Sequence, residues 1–342
     1  HIIHHEKLGS VYDKVKKTQE LARWITSSLQ RPELLPLVER AAFLSKADLV
    51  TEMVYEFPEL QGVMGREYAL RDKEPEAVAQ AIYEQYLPKF AGDTLPKGLP
   101  GAILGIAERI QIIVSCHGIG LVPTGSQDPY ALRRAARCIN EILFGMNMDL
   151  DVRSCVTEAV RINGSDDAVR DAVLLFLQQR LLIQLKERGA SHEVSSLAVS
   201  VSGNRPLQAL RFLNALSEVQ GQPWFSSLIT SAVRVRNILA KESSGMTRDA
   251  VLPSFFRKDA EERLFQEIET MEPRLEKSLA SFDWKVVTEL LSELSPAVEH
   301  FFEEVLVMDK EEDVRRNRLL LLDRCHRLFV MVGDIGVLKG EK

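Results

Sequence analysis

Apolar residues recur at helical spacing along nearly the whole chain, and this periodicity constrains the fold more than any other feature. One stripe begins at Trp284 and continues through Val287, Leu290, Leu291, Leu294, Val298, Phe301, Phe302 and Val305. Intervals of three and four residues place such side chains on one face of an α-helix. Similar stripes run through 169–185 and 314–332, and strand-like alternation is nearly absent. The pattern predicts an all-α fold of about fourteen helices, with a break between two helices at Pro296.

Turn-forming sequences predict how these helices are grouped into domains. The stretch at 145–149 and the Gly-Gln-Pro sequence at 221–223 are rich in residues that end helices. We therefore predict three domains, at 1–150, 151–221 and 222–342, the last with a long polar loop at 242–248. A chain of 342 residues is long enough for two or three cores.

Composition limits the classes of partner that the chain can bind. The net charge of −6 means that any RNA contact must come from local basic faces on an acidic body. The four cysteines have no C-x-x-C spacing, which favours a reducing compartment over disulfides or zinc. No unbroken apolar run reaches the length of about 18 residues that spans a bilayer. We expect a cytoplasmic protein without a membrane segment, and an organellar copy stays open.

The chain opens with histidines and without methionine, which predicts a fragment or a processed chain. His1, His4 and His5 are expected to be frayed or tag-derived residues rather than a metal site.

A basic helix is predicted to begin at Asp128-Pro129, because a carboxylate caps free N–H groups and proline fits the first helical position. Arg133, Arg134 and Arg137 follow, with no acid before Glu141. These three arginines are candidate contacts for an external anion, and a solvated face is the equally weighted alternative.

Two further basic stretches lie near the C-terminus. Arg315, Arg316 and Arg318 stand at the start of the predicted last helix, where cations oppose the helix dipole. Their placement predicts an external anion such as a tRNA phosphate, against the alternative of a solvated face. Arg234 and Arg236 form the other stretch.

The segment 46–57 is predicted to be an amphipathic helix, followed by a new helix from Pro58. Gly62 and Gly65 lie one turn apart on that helix. Because glycine there costs about 1 kcal/mol relative to alanine, another group is expected to approach this backbone closely. Tight helix packing is the favoured reason, and an RNA backbone or partner subunit is the alternative.

Four stretches together resemble one known family, the β subunit of the bacterial-type, two-subunit glycyl-tRNA synthetase. They are HEKLGSVYDKV (5–15), LSKADLVTEMVYEFPELQGVMGREYAL (44–70), GIGLVPTGSQDPYALRRAA (118–136) and FFEEVLVM with VRRNRLLLL (301–308 and 314–322). They occur in the expected order across nearly the whole chain.

The resemblance implies an HD-like helical domain, a helical linker and a C-terminal bundle similar to the anticodon-binding domain of arginyl-tRNA synthetase. It also implies that glycine and ATP are activated on a separate α subunit, so this chain would bind no cofactor and hold no catalytic residue. The implied partners are glycine-specific tRNA and the α subunit, in an α2β2 hetero-oligomer. The RNA-binding residues are then expected among the eight arginines named above.

Two other functions compete with tRNA binding. An HD-type phosphohydrolase holds its metal with an early His, a His-Asp pair and a later Asp. Here the corresponding positions read His5, Ala47-Asp48, and Glu108 with Gln111, so we expect this degenerate set to hold no metal. A helical scaffold for protein partners fits the apolar stripes but leaves the arginine clusters unexplained.

Overall fold

The structure is a computed structural model that describes residues 2–242 and 250–339, and helices account for most of them. The predicted all-α fold is confirmed, whereas most of the polar loop at 242–248 lies outside the described residues. The α-helices of the described part are α1 (Val11–Ser28), α2 (Leu35–Leu44), α3 (Glu52–Glu56), α4 (Val63–Arg71), α5 (Glu76–Glu84), α6 (Leu99–Gly118), α7 (Leu132–Gly145), α8 (Val152–Asn163), α9 (Asp167–Glu187), α10 (His192–Ser202), α11 (Pro206–Val219), α12 (Pro223–Glu242), α13 (Asp259–Ala280), α14 (Trp284–Glu304) and α15 (Glu312–Met331).

A short hairpin leads into the first helix. Strands β1 (Ile3–His5) and β2 (Gly9–Ser10) pair antiparallel. At the end of β2, the Asp13 amide donates to the Ser10 hydroxyl (3.1 Å) and the Ser10 amide donates to the Asp13 carboxylate (2.9 Å). This reciprocal capping satisfies two amides at the start of α1 and fixes where Lys14 lies on that helix.

The chain forms two compact units, residues 1–184 with 203–207 and residues 185–202 with 208–342. The segment 151–221, predicted as a middle domain, is divided between them. The three predicted boundaries stay a prediction.

The first unit is built around α6, which packs against α1, α2, α5, α7 and α8. Most isoleucines of α6 are fully buried, including Ile103, Ile106 and Ile110. By length and composition α6 is apolar enough to cross a membrane, but 67% of that stretch is buried inside the protein. Burial of this kind is typical of the central helix of a folded domain.

In the second unit, α12, α13, α14 and α15 pack on one another. The stripe predicted from Trp284 to Val305 is confirmed, since every member except Phe302 is buried. The predicted break at Pro296 is wrong, because α14 continues through this proline. Pro296 lies on the exposed side of α14, so the apolar face stays continuous and its burial outweighs the lost backbone hydrogen bond.

The segment 46–57 differs from its prediction as one helix. It contains a 3-10 turn at Ala47–Val50 and then α3, separated by Thr51 in an extended conformation. The Thr51 hydroxyl accepts a hydrogen bond from the Val54 amide (3.4 Å), so a second helix begins there. Pro58 begins another 3-10 turn, Pro58–Leu60, and α4 follows only at Val63.

Candidate nucleic-acid interface

The start of α7 positions the first arginine cluster. The Asp128 carboxylate accepts hydrogen bonds from the amides of Leu132 (2.8 Å) and Arg133 (2.9 Å), so its predicted capping role is confirmed. The predicted helix start at Pro129 is wrong. A turn from Asp128 to Ala131, whose φ is 53°, comes first, and α7 begins at Leu132.

The three arginines of α7 lie in different surroundings. Arg134 is exposed and Arg133 is half-buried, and neither forms an ion pair within residues 2–242 and 250–339. Arg137 is paired to Glu141 one turn later, at 2.9 Å. Arg133 and Arg134 thus keep positive charges that an external anion can neutralise.

A fourth arginine joins this cluster from α9. Burial lowers the pKa of Arg180, and the positive charge of Arg133 lowers it further. The Arg180 guanidinium lies over the Phe176 ring at 5.9 Å, and its Nε is buried without a hydrogen-bond partner in the described structure. Arg180 was not predicted from the sequence, because no local spacing relates a residue on α9 to one on α7.

In the second unit, α12 presents two arginines with different partners. Arg234 is exposed, and its guanidinium lies over the Phe302 ring at 4.1 Å. This stacking orients the cation without neutralising it. Arg236, by contrast, forms an ion pair with Asp334 at 2.7 Å.

Arg318 does not lie on an exposed basic face, so that expectation is wrong. Its side chain is 5% exposed and pairs with Glu261 (2.9 Å) and Asp309 (2.7 Å). A third bond goes to the Leu306 carbonyl at 2.9 Å. The anions that this arginine meets belong to the chain itself, on α13 and on the loop before α15.

The other arginines of α15 remain nearer the surface. Arg315 is half-buried and donates to the Asp309 carbonyl at 3.2 Å, and Arg316 is exposed. Glu312 and Asp313 occupy the first turn and complement the helix dipole. The dipole therefore gives no independent reason for an external anion, although RNA binding by Arg315 and Arg316 stays a prediction.

Within the described residues no group of three or more His, Cys, Asp or Glu side chains is placed to hold a metal ion, so His5, Asp48 and Glu108 do not form one ligand set. His5 lies on β1, with its ring 6.1 Å from that of Tyr130. Asp48 is buried, and its Oδ2 accepts hydrogen bonds from the amides of Gly62 (2.6 Å) and Gly65 (3.1 Å). Gln111 is buried with neither amide atom hydrogen-bonded in the described structure.

The backbone at the start of α4 is approached closely, as predicted, and the approaching groups belong to the protein. A Cβ on Gly62 would lie 2.4 Å from the Tyr86 ring, and one on Gly65 would lie 2.7 Å from the Ile82 side chain. The packing interpretation of these glycines is therefore confirmed.

Glu108 is held by two lysines instead of neighbouring metal ligands. Its Oε1 lies 2.8 Å from both Lys14 Nζ and Lys46 Nζ. Burial alone would raise the pKa of Glu108, but the two ammonium groups outweigh burial and hold that pKa well below its usual range. A divalent cation at this oxygen would meet two positive charges, so these residues do not fit a metal. The metal-free state itself stays a prediction.

Comparison with known proteins agrees with the family resemblance. A family model described as "Glycyl-tRNA synthetase beta subunit" matches residues 1–200, and one described as "DALR anticodon binding domain" matches residues 228–331. The predicted similarity of the C-terminal bundle to an anticodon-binding domain is thereby confirmed, whereas the HD-like assignment stays a prediction.

Curated relatives named "Glycine--tRNA ligase beta subunit" align with nearly the whole chain. The protein of Hahella chejuensis is 36% identical over 99% of this chain, and that of Desulforudis audaxviator is 38% identical over 98%. The protein of Moorella thermoacetica is 35% identical over 97%. Each alignment covers 49% of the relative, so the chain spans about half the length of the curated relatives it matches.

Proposed function

Because this chain belongs to the glycyl-tRNA synthetase beta-subunit family, we propose that it is a tRNA-binding portion of a glycine–tRNA ligase. The observation that carries the proposal is Arg234, an exposed arginine without an ion pair in the described structure, inside the range that matches an anticodon-binding domain. An exposed guanidinium held on an aromatic ring is well suited to a phosphate or to an unstacked base.

The arginines are expected to contact the RNA backbone, while other groups read the bases. In a chain of net charge −6, no global field attracts tRNA, so local contacts must supply the electrostatic binding energy. The candidates in the second unit are Arg234, Arg236, Arg315 and Arg316; those in the first are Arg133, Arg134 and Arg137. Arg318 is left out because it is buried between two carboxylates.

Amino-acid activation is assigned to another subunit. The relatives are named beta subunits, and the sequence contains no ATP-binding motif that we recognise. We therefore propose that glycine and ATP react on an α subunit, that this chain binds no cofactor, and that both work in the cytoplasm within an α2β2 assembly.

The experiment is tRNA binding across a salt series. Each phosphate contact removed should lower the slope of log K against log salt by roughly 0.7–0.9. We expect the slope to fall by this amount per contact in Arg234→Gln and in the Arg315→Gln/Arg316→Gln double variant. Glycine-specific and unrelated tRNAs are compared in the same series. Lys285→Gln is the control, because it removes the same charge from a side chain that is 86% exposed on α14.

Two results would contradict the proposal. If the slope is unchanged in every arginine variant while folding is intact, these residues do not contact tRNA. If the unmodified chain binds no tRNA at any salt concentration, the scaffold function becomes the better explanation.

A further inference from the structure

The first unit contains a cavity of about 550 Å³ that the proposed tRNA contacts of α12 and α15 do not use. Side chains from α1, α6 and α7 line it, together with the stretches 58–61 and 85–89. This volume lies in the range of small-molecule sites, which is roughly 300–1,000 Å³. It is larger than a single inorganic ion requires.

The cavity wall is positively charged although the chain is acidic. Four basic side chains line it, against the two carboxylates of Glu59 and Glu108; they are Lys14, Lys89, Arg109 and Arg134. Arg109 donates to backbone carbonyls, among them those of Gln85 (2.9 Å) and Pro88 (3.0 Å), and forms no ion pair in the described structure. The wall therefore favours an anionic ligand.

Lys14 and Lys46 share one carboxylate oxygen of Glu108. The Lys46 side chain is 6% exposed, donates to the Tyr86 hydroxyl at 2.8 Å and lies over that ring. Lys14 bonds to Glu108 alone in the described structure and lines the cavity, so two of its three donors remain for a ligand. An anionic ligand beside Lys14 would accept from the donors that Glu108 leaves free.

The rest of the wall suits a flat, partly apolar group. Tyr130, Pro88, Ile112 and Ala135 line the cavity beside the cations. Tyrosine and arginine side chains stack on nucleobases. A ligand that combines an anion with an aromatic ring would use both kinds of surface.

We propose that this cavity binds a free nucleoside phosphate, with Lys14 and Arg134 contacting the phosphate and the wall around Tyr130 contacting the nucleoside. Glu108 holds the two lysines in place and opposes the ligand electrostatically. A glutamine at this position keeps a carbonyl oxygen that can accept a hydrogen bond from Lys14 but has no charge to oppose the ligand. The site is separate from the proposed tRNA-binding arginines of α12 and α15 but shares Arg134 with those of α7. The salt-series variants of Arg234, Arg315 and Arg316 therefore test tRNA binding independently of this cavity.

Titration calorimetry with AMP, ADP, pyrophosphate and adenosine on the full chain tests the proposal. We expect ADP and AMP to bind and adenosine to bind much more weakly. Lys14→Gln and Arg134→Gln should each weaken ADP binding by about tenfold or more, the effect of losing one charge-assisted hydrogen bond. Lys16→Gln is the matched control, because Lys16 is an exposed lysine of α1 that does not line the cavity.

Glu108→Gln separates ligand binding from structural damage. It removes the opposing carboxylate, so ADP should bind several-fold more tightly even though the protein becomes less stable. A variant that merely perturbed the fold would bind more weakly.

Three results would overturn the proposal. They are no ADP binding by the unmodified chain, equal losses in Lys14→Gln and Lys16→Gln, or no gain in Glu108→Gln. Displacement of ADP by tRNA, with the same variant effects on both, would reassign the cavity to RNA.

Discussion

Arg318 lies in a buried ion pair with Glu261, whose side chain is fully buried, and a second bond reaches Asp309. Removing one member of a buried pair leaves an uncompensated charge, which typically costs about 3–5 kcal/mol. We expect Arg318→Met to lower the free energy of unfolding in urea by roughly that amount.

The control for this change is Arg327→Met, because Arg327 pairs with Asp323 on the exposed surface of α15 and such pairs contribute about 0.3–0.5 kcal/mol. The double variant Arg318→Met/Glu261→Met should recover only part of the loss, because Glu261 also accepts hydrogen bonds from the amides of Arg257 (2.8 Å) and Lys258 (2.9 Å). A loss no greater than that of the control would contradict the structural role assigned to Arg318.

The charge of Glu108 makes stability depend on pH. Because the pKa of Glu108 is depressed in the folded protein, its contribution is present above the unfolded pKa and is lost as the pH falls towards the folded pKa. The difference in unfolding free energy between the unmodified protein and Glu108→Gln should therefore be constant above about pH 5.5 and shrink below about pH 4.5. Urea unfolding of both proteins at pH 7, 5, 4 and 3 measures this difference. A difference that does not change with pH would show that the two lysines do not stabilise the carboxylate.

At the scale of elements, the approach of α5 and Tyr86 to the start of α4 depends on Gly62. This residue has a φ of +81°, and a Cβ there would lie 2.4 Å from the Tyr86 ring. Gly92 has the same φ with nothing within 4 Å of an added Cβ. Both alanine variants should lose stability to backbone strain, but Gly62→Ala should lose about 1–3 kcal/mol more because it also overpacks.

Urea unfolding of Gly62→Ala and Gly92→Ala gives this comparison directly. Equal losses would mean that the Tyr86 ring moves aside at little cost, and that packing does not explain the glycine.

At the scale of the whole molecule, the proposed role as a beta subunit predicts that this chain does not activate glycine by itself. We expect no glycine-dependent ATP–pyrophosphate exchange by the isolated chain, because activation is proposed to occur on an α subunit. An intact two-subunit glycine–tRNA ligase, assayed in parallel, is the positive control. Glycine-dependent exchange by this chain that persists after further purification would overturn the proposal that activation occurs on an α subunit.

The amino-acid sequence by itself determined the helical fold, the buried stripe of α14, the capping by Asp128 and the close approach at Gly62 and Gly65. The first three depend on interactions within a few residues, or on a periodicity that a single helix displays. The close approach was predicted because glycine in a helix is costly, but the tertiary structure supplied the approaching groups, Tyr86 and Ile82. The family resemblance likewise rested on uninterrupted stretches of sequence.

Only the tertiary structure decided which charges are neutralised. Arg318 meets Glu261 across 57 residues of chain, and Lys14 meets Glu108 across 94. Arg180 approaches Arg133 from another helix. Local spacing cannot show these pairs, because burial and ionic partners depend on which helices pack together. The sequence around an arginine at a helix start therefore does not show whether its side chain is exposed, as that of Arg316 is, or buried and paired with carboxylates, as that of Arg318 is.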